Sequence, residues 1–165
     1  MSLIVETGAG LANAESLCSI DDADAYHLSM GNDAWSNLDD DGKEVHLRRA
    51  TMYMQQEYHD EWMGLRAQFT QALDWPRQGI VLCDEIIQFN VIPKEVKAAC
   101  CELALRSISG PLRADLTQGV VRKQIGPIRI DYDKTSPLAK RYPFIDAMVQ
   151  KFFGRGGNSL KIGRC

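Results

Sequence analysis

Few residues of this chain have the types and spacing that chemistry needs. The densest cluster is His59-Asp60-Glu61, three side chains able to ligate a metal or move a proton. Adjacent residues point in different directions, and the other histidines, His27 and His46, are scattered, so the run reads as a surface charge patch rather than a metal site. Cys100 and Cys101 could supply a thiolate, but they lie in a stretch that is apolar most of the way round a helix. No basic partner stands near them in sequence, so packing is their role. Carboxylates are paired at Asp21-Asp22 and grouped at Asp39-Asp40-Asp41, yet both groups stand where helix starts take negative charge. Neither a phosphate-cradling loop nor a dinucleotide fingerprint nor a nucleophile elbow is present. These residues imply no catalytic centre, no cofactor and no enzyme.

The chemistry that remains is charge. Residues 1–42 hold nine acids and no Lys or Arg, residues 43–119 nine basic and ten acidic residues, and residues 120–165 ten basic and three acidic, for a net charge of −3. Such asymmetry marks a nucleic-acid-binding end, two complementary docking surfaces, or solvated faces that neutralise one another within the fold. The basic end includes Arg122, Lys123, Arg129, Lys134, Lys140 and Arg141, with Tyr132, Tyr142, Phe152 and Phe153 interleaved, which is the composition of a single-strand platform. Phe152 and Phe153 fit a helix face in a core equally well, and the acidic first quarter would repel phosphates unless held away from them.

These residues must be positioned by helices. Ile92 to Pro111 is the organising stretch: Pro93 suits a first helical position, and Gly110-Pro111 ends the helix. Between them Val96, Ala99, Cys100, Leu103, Ala104 and Ser107 share one face, with Ala98, Cys101, Leu105 and Ile108 on a second. Glu95, Glu102 and Arg106 are left as a polar stripe. Ser19 and Asp22 have capping spacing ahead of a short helix carrying Ala23, Tyr26, His27 and Met30 on one face, which Gly31 stops. Asp41 and Glu44 have the same spacing ahead of a longer helix to about Tyr58. That helix has Leu47, Ala50, Thr51, Met54 and Tyr58 inward and Val45 and Met52 on a flank.

Residues 3–16 read as a strand and a loop, and residues 59–90 as a long irregular connection with one helical turn, pinned by Trp62 and Trp75. Gly126-Pro127 divides an alternating pair of strands, a β-hairpin at about 119–133. A last amphipathic helix runs over about 143–153, and the Gly-rich basic tail 154–165 cannot fold alone. The expectation is a mainly α bundle of about four helices over residues 1–153, bearing the hairpin, plus that extended tail. Five cysteines without C-x-x-C spacing read as reduced. No apolar run is long enough to span a membrane and no secretory signal is visible, so a cytosolic protein is expected.

In order along the chain, SLIVETGAGLANAES, DADAYH followed by GNDAW, LRRAT, QALDWPR and IPKEVKAACCELA resemble a family found in tailed bacteriophages and prophages. Members are often labelled DnaT-like single-stranded-DNA-binding proteins, and the family is similar to head-to-tail connector (adaptor, head-completion) proteins. The resemblance covers about residues 3–145. It implies a helical subunit of which about twelve copies close a ring beneath the portal, heterologous interfaces joining them. It also implies the portal protein, a tail or stopper protein and the packaged DNA as partners, and a place in the virion neck after assembly in the host cytoplasm. On this reading Arg155, Leu160, Lys161, Ile162 and Arg164 of the tail meet the portal, and Trp62, Trp75 and Arg77 form a subunit or tail-protein interface. On the alternative reading, single-stranded DNA meets Arg122, Lys123, Arg129 and Tyr132.

Overall fold

The computed structural model describes residues 2–113, 122–125, 128–131 and 142–154, with the hairpin strands 122–125 and 128–131 given by their backbone. The tail positions Arg155, Leu160, Lys161, Ile162 and Arg164, together with Tyr132, lie outside the described residues.

The chain runs α1 (Ile20–Met30), a single turn α2 (Asp33–Ser36), α3 (Asp40–Tyr58), β1 (Leu65–Arg66), β2 (Arg77–Gln78), β3 (Val81–Leu82), β4 (Glu85–Ile86), α4 (Lys94–Ile108), β5 (Arg122–Ile125), β6 (Ile128–Asp131) and α5 (Pro143–Val149). A turn of 3-10 helix, Gln150–Phe152, follows. This is the expected mainly helical bundle with a hairpin. Helix α4 is its axis and touches α1, α3 and α5, with α3 as its principal neighbour. Val96, Ala99, Cys100, Leu103 and Ala104 of α4 have no exposed surface, and Leu47 and Ala50 of α3 meet the same core. Small residues let the two backbones approach.

The polar stripe of α4 is less exposed than its composition implies. Glu102 is buried, accepting a hydrogen bond from the Tyr26 hydroxyl at 2.9 Å and pairing with Arg106 one turn on. Desolvation, then the Glu102 carboxylate, raises the Tyr26 phenol above its usual range. Pro93 stands one position earlier than expected, as the N-cap, where its carbonyl accepts from the amides of Val96 and Lys97.

Helix α1 begins and ends where its sequence indicates. The Ser19 hydroxyl accepts from the Asp22 amide at 3.0 Å, and Gly31 closes the helix in the left-handed conformation. Met30, however, is exposed. For α3 the cap is Asp39, whose carboxylate accepts from the Gly42 amide at 2.9 Å, and not Asp41. The acidic run offers three candidate caps, and the first is the one with extended backbone. Between α1 and α3, α2 seats Trp35 in the core, its indole donating to Asp24 at 2.7 Å.

The N-terminal segment forms one parallel bridge, Val5 to Ser16, in place of a strand. Its turn is organised by buried Glu6, whose carboxylate accepts from the amides of Gly8, Gly10 and Leu11 at 2.7–2.9 Å. Gly8 must be glycine: its φ is 100°, and a Cβ there would lie 1.9 Å from the Asn90 carbonyl oxygen.

The connection after α3 holds two antiparallel ribbons, β1–β2 and β3–β4, where one helical turn was expected. A two-residue turn at Cys83-Asp84, both with positive φ, joins β3 to β4. Cys18, Cys100 and Cys101 are free and buried, whereas Cys83 is disulfide-bonded, so the expectation that all five cysteines are reduced is corrected there. The hairpin pairs Arg122 with Asp131, Lys123 with Ile130, Gln124 with Arg129 and Ile125 with Ile128, and Gly126-Pro127 between them lies outside the described residues. Among the described residues no helix is long and apolar enough to cross a membrane.

Candidate nucleic-acid interface

The hairpin strands β5 and β6 lie within the chain segment that starts at Arg113 and ends at Tyr142. Residues 113–142 carry seven basic side chains (Arg113, Arg122, Lys123, Arg129, Lys134, Lys140 and Arg141) against three acidic ones (Asp115, Asp131 and Asp133). Its two feet are joined, because the buried Tyr142 hydroxyl donates to the Leu112 carbonyl at 3.1 Å and Leu112 is itself buried. Tyr142 also packs edge-on against Tyr53 of α3, with ring centroids 5.6 Å apart. The two ends of this basic segment thus meet at a fixed root beside the end of α4 and the start of α5.

That root presents further polar and aromatic groups. Arg106 holds its guanidinium 5.8 Å from the Phe144 ring centroid and 6.0 Å from that of Tyr142, while donating to the Glu102 carbonyl at 2.9 Å and to the Glu102 carboxylate. Arg113 lies 3.7 Å from Glu57. Beside them a cleft of about 270 Å³ is lined by Tyr53, Glu57, Tyr58, Glu61, Asp146 and Phe153. Desolvation and the nearby Glu57 and Asp146 charges push the Tyr53 phenol up to about 12. Burial, then its 2.7 Å bond to Asp146, raises Tyr58 as well. With three carboxylates on its wall this cleft repels phosphate.

The aromatic residues expected to interleave with the basic ones divide sharply. Phe152 is buried against Trp75, centroids 5.6 Å apart, and Phe153 packs on Trp62 at 5.2 Å and Tyr58 at 5.3 Å. Tyr142 and Phe152 are core residues and Phe153 is half-buried against the core, so no stacking platform forms from the three. Arg122 and Lys123 lie on β5, opposite Asp131 and Ile130, and Arg129 lies on β6, opposite Gln124.

The set Trp62, Trp75 and Arg77 is also internal. The two indoles meet edge-on at 5.5 Å, and Trp75 has no exposed surface. Arg77 is buried, with its guanidinium donating to the carbonyls of Met63 at 2.8 Å, Gly64 at 2.9 Å and Asp74 at 3.2 Å. These three residues organise the connection from within. Leu65, Phe69, Val81, Ile86 and Phe89 of that connection are the exposed ones, Phe69 at 98%.

The groups with catalytic potential are likewise accounted for by the fold. Burial pushes the Cys100 thiol up to about 12, which keeps it protonated and unreactive. His59 binds the buried Asp74 carboxylate at 2.7 Å, fastening the end of α3 to the connection. Among the described residues no three metal-ligating side chains converge.

Sequence reasoning missed Phe144, Arg106 and Arg113 as members of this root. A signal existed for Phe144: it lies about 100° round the helix from Ile145, whose face continues through buried Val149 and Phe152. Compared with known protein families, residues 1–165 match the one described as "Putative DnaT-like ssDNA binding protein". The chain belongs to that family. The description names single-stranded DNA and carries no term for a connector, a portal or a ring. No curated protein and no solved structure matches the chain.

Proposed function

We propose that this member of the DnaT-like family binds single-stranded DNA without catalysing a reaction, and that the β5–β6 hairpin and its root carry the contact. The observation that supports this most is the net +4 of residues 113–142, next to the hydrogen-bonded pair Tyr142 and Leu112, in a family whose model spans the whole chain and is described by single-stranded DNA binding. Lys and Arg on such a segment neutralise phosphates and release counterions, which gives affinity without sequence preference. The acidic residues of 1–42 are partly engaged elsewhere: Asp22 is 2.9 Å from Lys97, and Asp24 is 2.9 Å from Lys43. Exchanging Arg122→Glu and Lys123→Glu together should weaken binding of a fluorescent oligo-dT and lower the salt slope by about 1.4, two contacts at about 0.7 each. Unchanged affinity and slope would move the contact off the hairpin.

A second reading, a ring-forming head-to-tail connector in the neck of a phage particle, is favoured by one observation. The apolar side chains of Leu65, Phe69, Val81, Ile86 and Phe89 are exposed on the ribbon connection, as they would be on a subunit that docks copies or partners there. Portal contact would then fall to the tail residues Arg155, Leu160, Lys161, Ile162 and Arg164. Sedimentation decides: a ring migrates far above the 18.5 kDa of one chain, while a purely monomeric protein at high concentration counts against this reading.

A further inference from the structure

Buried Tyr142 and Phe152, and Phe153 packed on Trp62 and Tyr58, leave the DNA reading without its expected aromatic platform, yet one ring at the root remains open. Phe144 is the second residue of α5, and the helix turns Ile145 and Val149 inward while leaving Phe144 58% exposed. Its ring is nevertheless held, because Arg106 lies 5.8 Å from its centroid. Arg106 is tied to Glu102, and Glu102 to the Tyr26 hydroxyl, so the chain of contacts runs from α5 through α4 to α1. We infer that Phe144 is a stacking position for a nucleobase of single-stranded DNA, with Arg106 behind it.

This rests on the single-stranded-DNA reading and names the group that takes the base. Phosphate contacts alone would hold duplex and single strand alike; an open ring beside them discriminates, since only an unpaired base offers its face. A cation near the ring adds to the attraction, because guanidinium planes stack on bases as well as on phenylalanine. Prior fixation of the ring by Arg106 means that little side-chain freedom is lost on binding.

The nearby carboxylates do not block the position. Asp146 accepts the Tyr58 hydroxyl, and Glu57 faces Arg113. The other strongly exposed phenylalanines, Phe69 and Phe89, sit on the connection 59–91, away in sequence from the basic segment. Among the described residues neither has a cation over its ring.

The test uses the full chain and oligo-dT of about 16 nucleotides, within the range that single-strand modules occupy. Phe144→Ala should weaken binding by about 5- to 140-fold, the range that loss of one stacked base produces. Its thermal midpoint should stay close to that of the wild type, since the ring is outside the core. Phe144→Trp should keep the affinity and add one exposed indole to three buried ones, Trp35, Trp62 and Trp75, so that oligo-dT quenches its red-shifted emission. Binding by the wild type with Phe144→Ala equally tight, or an unquenched Phe144→Trp, overturns the stacking position while leaving the DNA reading intact. Absence of binding by the wild type itself overturns both.

Discussion

His27 shows how a residue that could do chemistry is used for packing instead. It is fully buried between α1 and α4, with Nε2 3.1 Å from the Cys101 carbonyl and Nδ1 3.1 Å from the Asn32 side-chain amide, and its ring lies 4.7 Å from Trp35. The neutral imidazole satisfies both contacts: Nε2–H donates to the carbonyl and Nδ1 accepts from the amide. Protonation would place a second donor against the Asn32 amide in a site that water does not reach. Burial accordingly lowers its pKa from 6.5, partly opposed by the Cys101 carbonyl and by the Glu102 and Asp24 charges, and burial lowers His46 too. A depressed histidine contributes stability that is fully present above its unfolded value and is lost as pH falls through the folded one. The urea midpoint should therefore drop between about pH 7 and about pH 5, and His27→Gln should flatten that slope while lowering the midpoint at neutral pH. A midpoint flat across the window in the wild type would contradict the assignment. Arg77 teaches the same lesson from the other sign of charge. Its sequence setting, beside Trp75 and Pro76, looks like an exposed docking patch, but its fork holds three carbonyls of the connection that no strand partner satisfies.

At the scale of elements, what could be read from the sequence was whatever is determined locally. Helix α1 has an N-cap serine and a C-terminal glycine, both effective within four residues, and its boundaries follow. Helix α4 was legible because its apolar positions recur at helical spacing over 15 residues, and the hairpin because Gly126-Pro127 separates two alternating runs. The ribbons β1–β2 and β3–β4 were not legible. Each strand is two residues long, too short for any period, and β1 meets β2 only because Gly64 lets the backbone close on Gln78, where a Cβ would come within 2.3 Å of the carbonyl oxygen. Helix α2 was missed for the same reason, since one turn carries no repeat. Of the candidate interface, the basic residues were legible from composition alone. The packing of Tyr142, Phe152 and Phe153 was not, because it depends on Tyr53, Trp75 and Trp62 respectively, some 70 to 90 positions earlier in the chain.

Over the whole molecule, charge is separated along a chain whose fold has one organising helix. The acidic N-terminal quarter fills the first turns of α1 and α3, where helix dipoles welcome it, and part of it is neutralised by Lys43, Arg48 and Lys97. The C-terminal end of α4, where the helix dipole favours cations such as Arg106, lies beside the root formed by Leu112 and Tyr142, opposite the Pro93 cap. On the proposed reading, the basic residues that begin and end at this root bind single strands.

The most direct test is a titration of wild-type protein with labelled oligo-dT and with a duplex of equal length, at salt from about 50 to about 200 mM. The account predicts measurable binding at the lowest salt and a preference for the single strand. It also predicts that log K falls linearly with log salt, with a slope of about 0.7 for each phosphate neutralised. No binding to oligo-dT at about 50 mM salt, where electrostatic contacts are strongest, would contradict it.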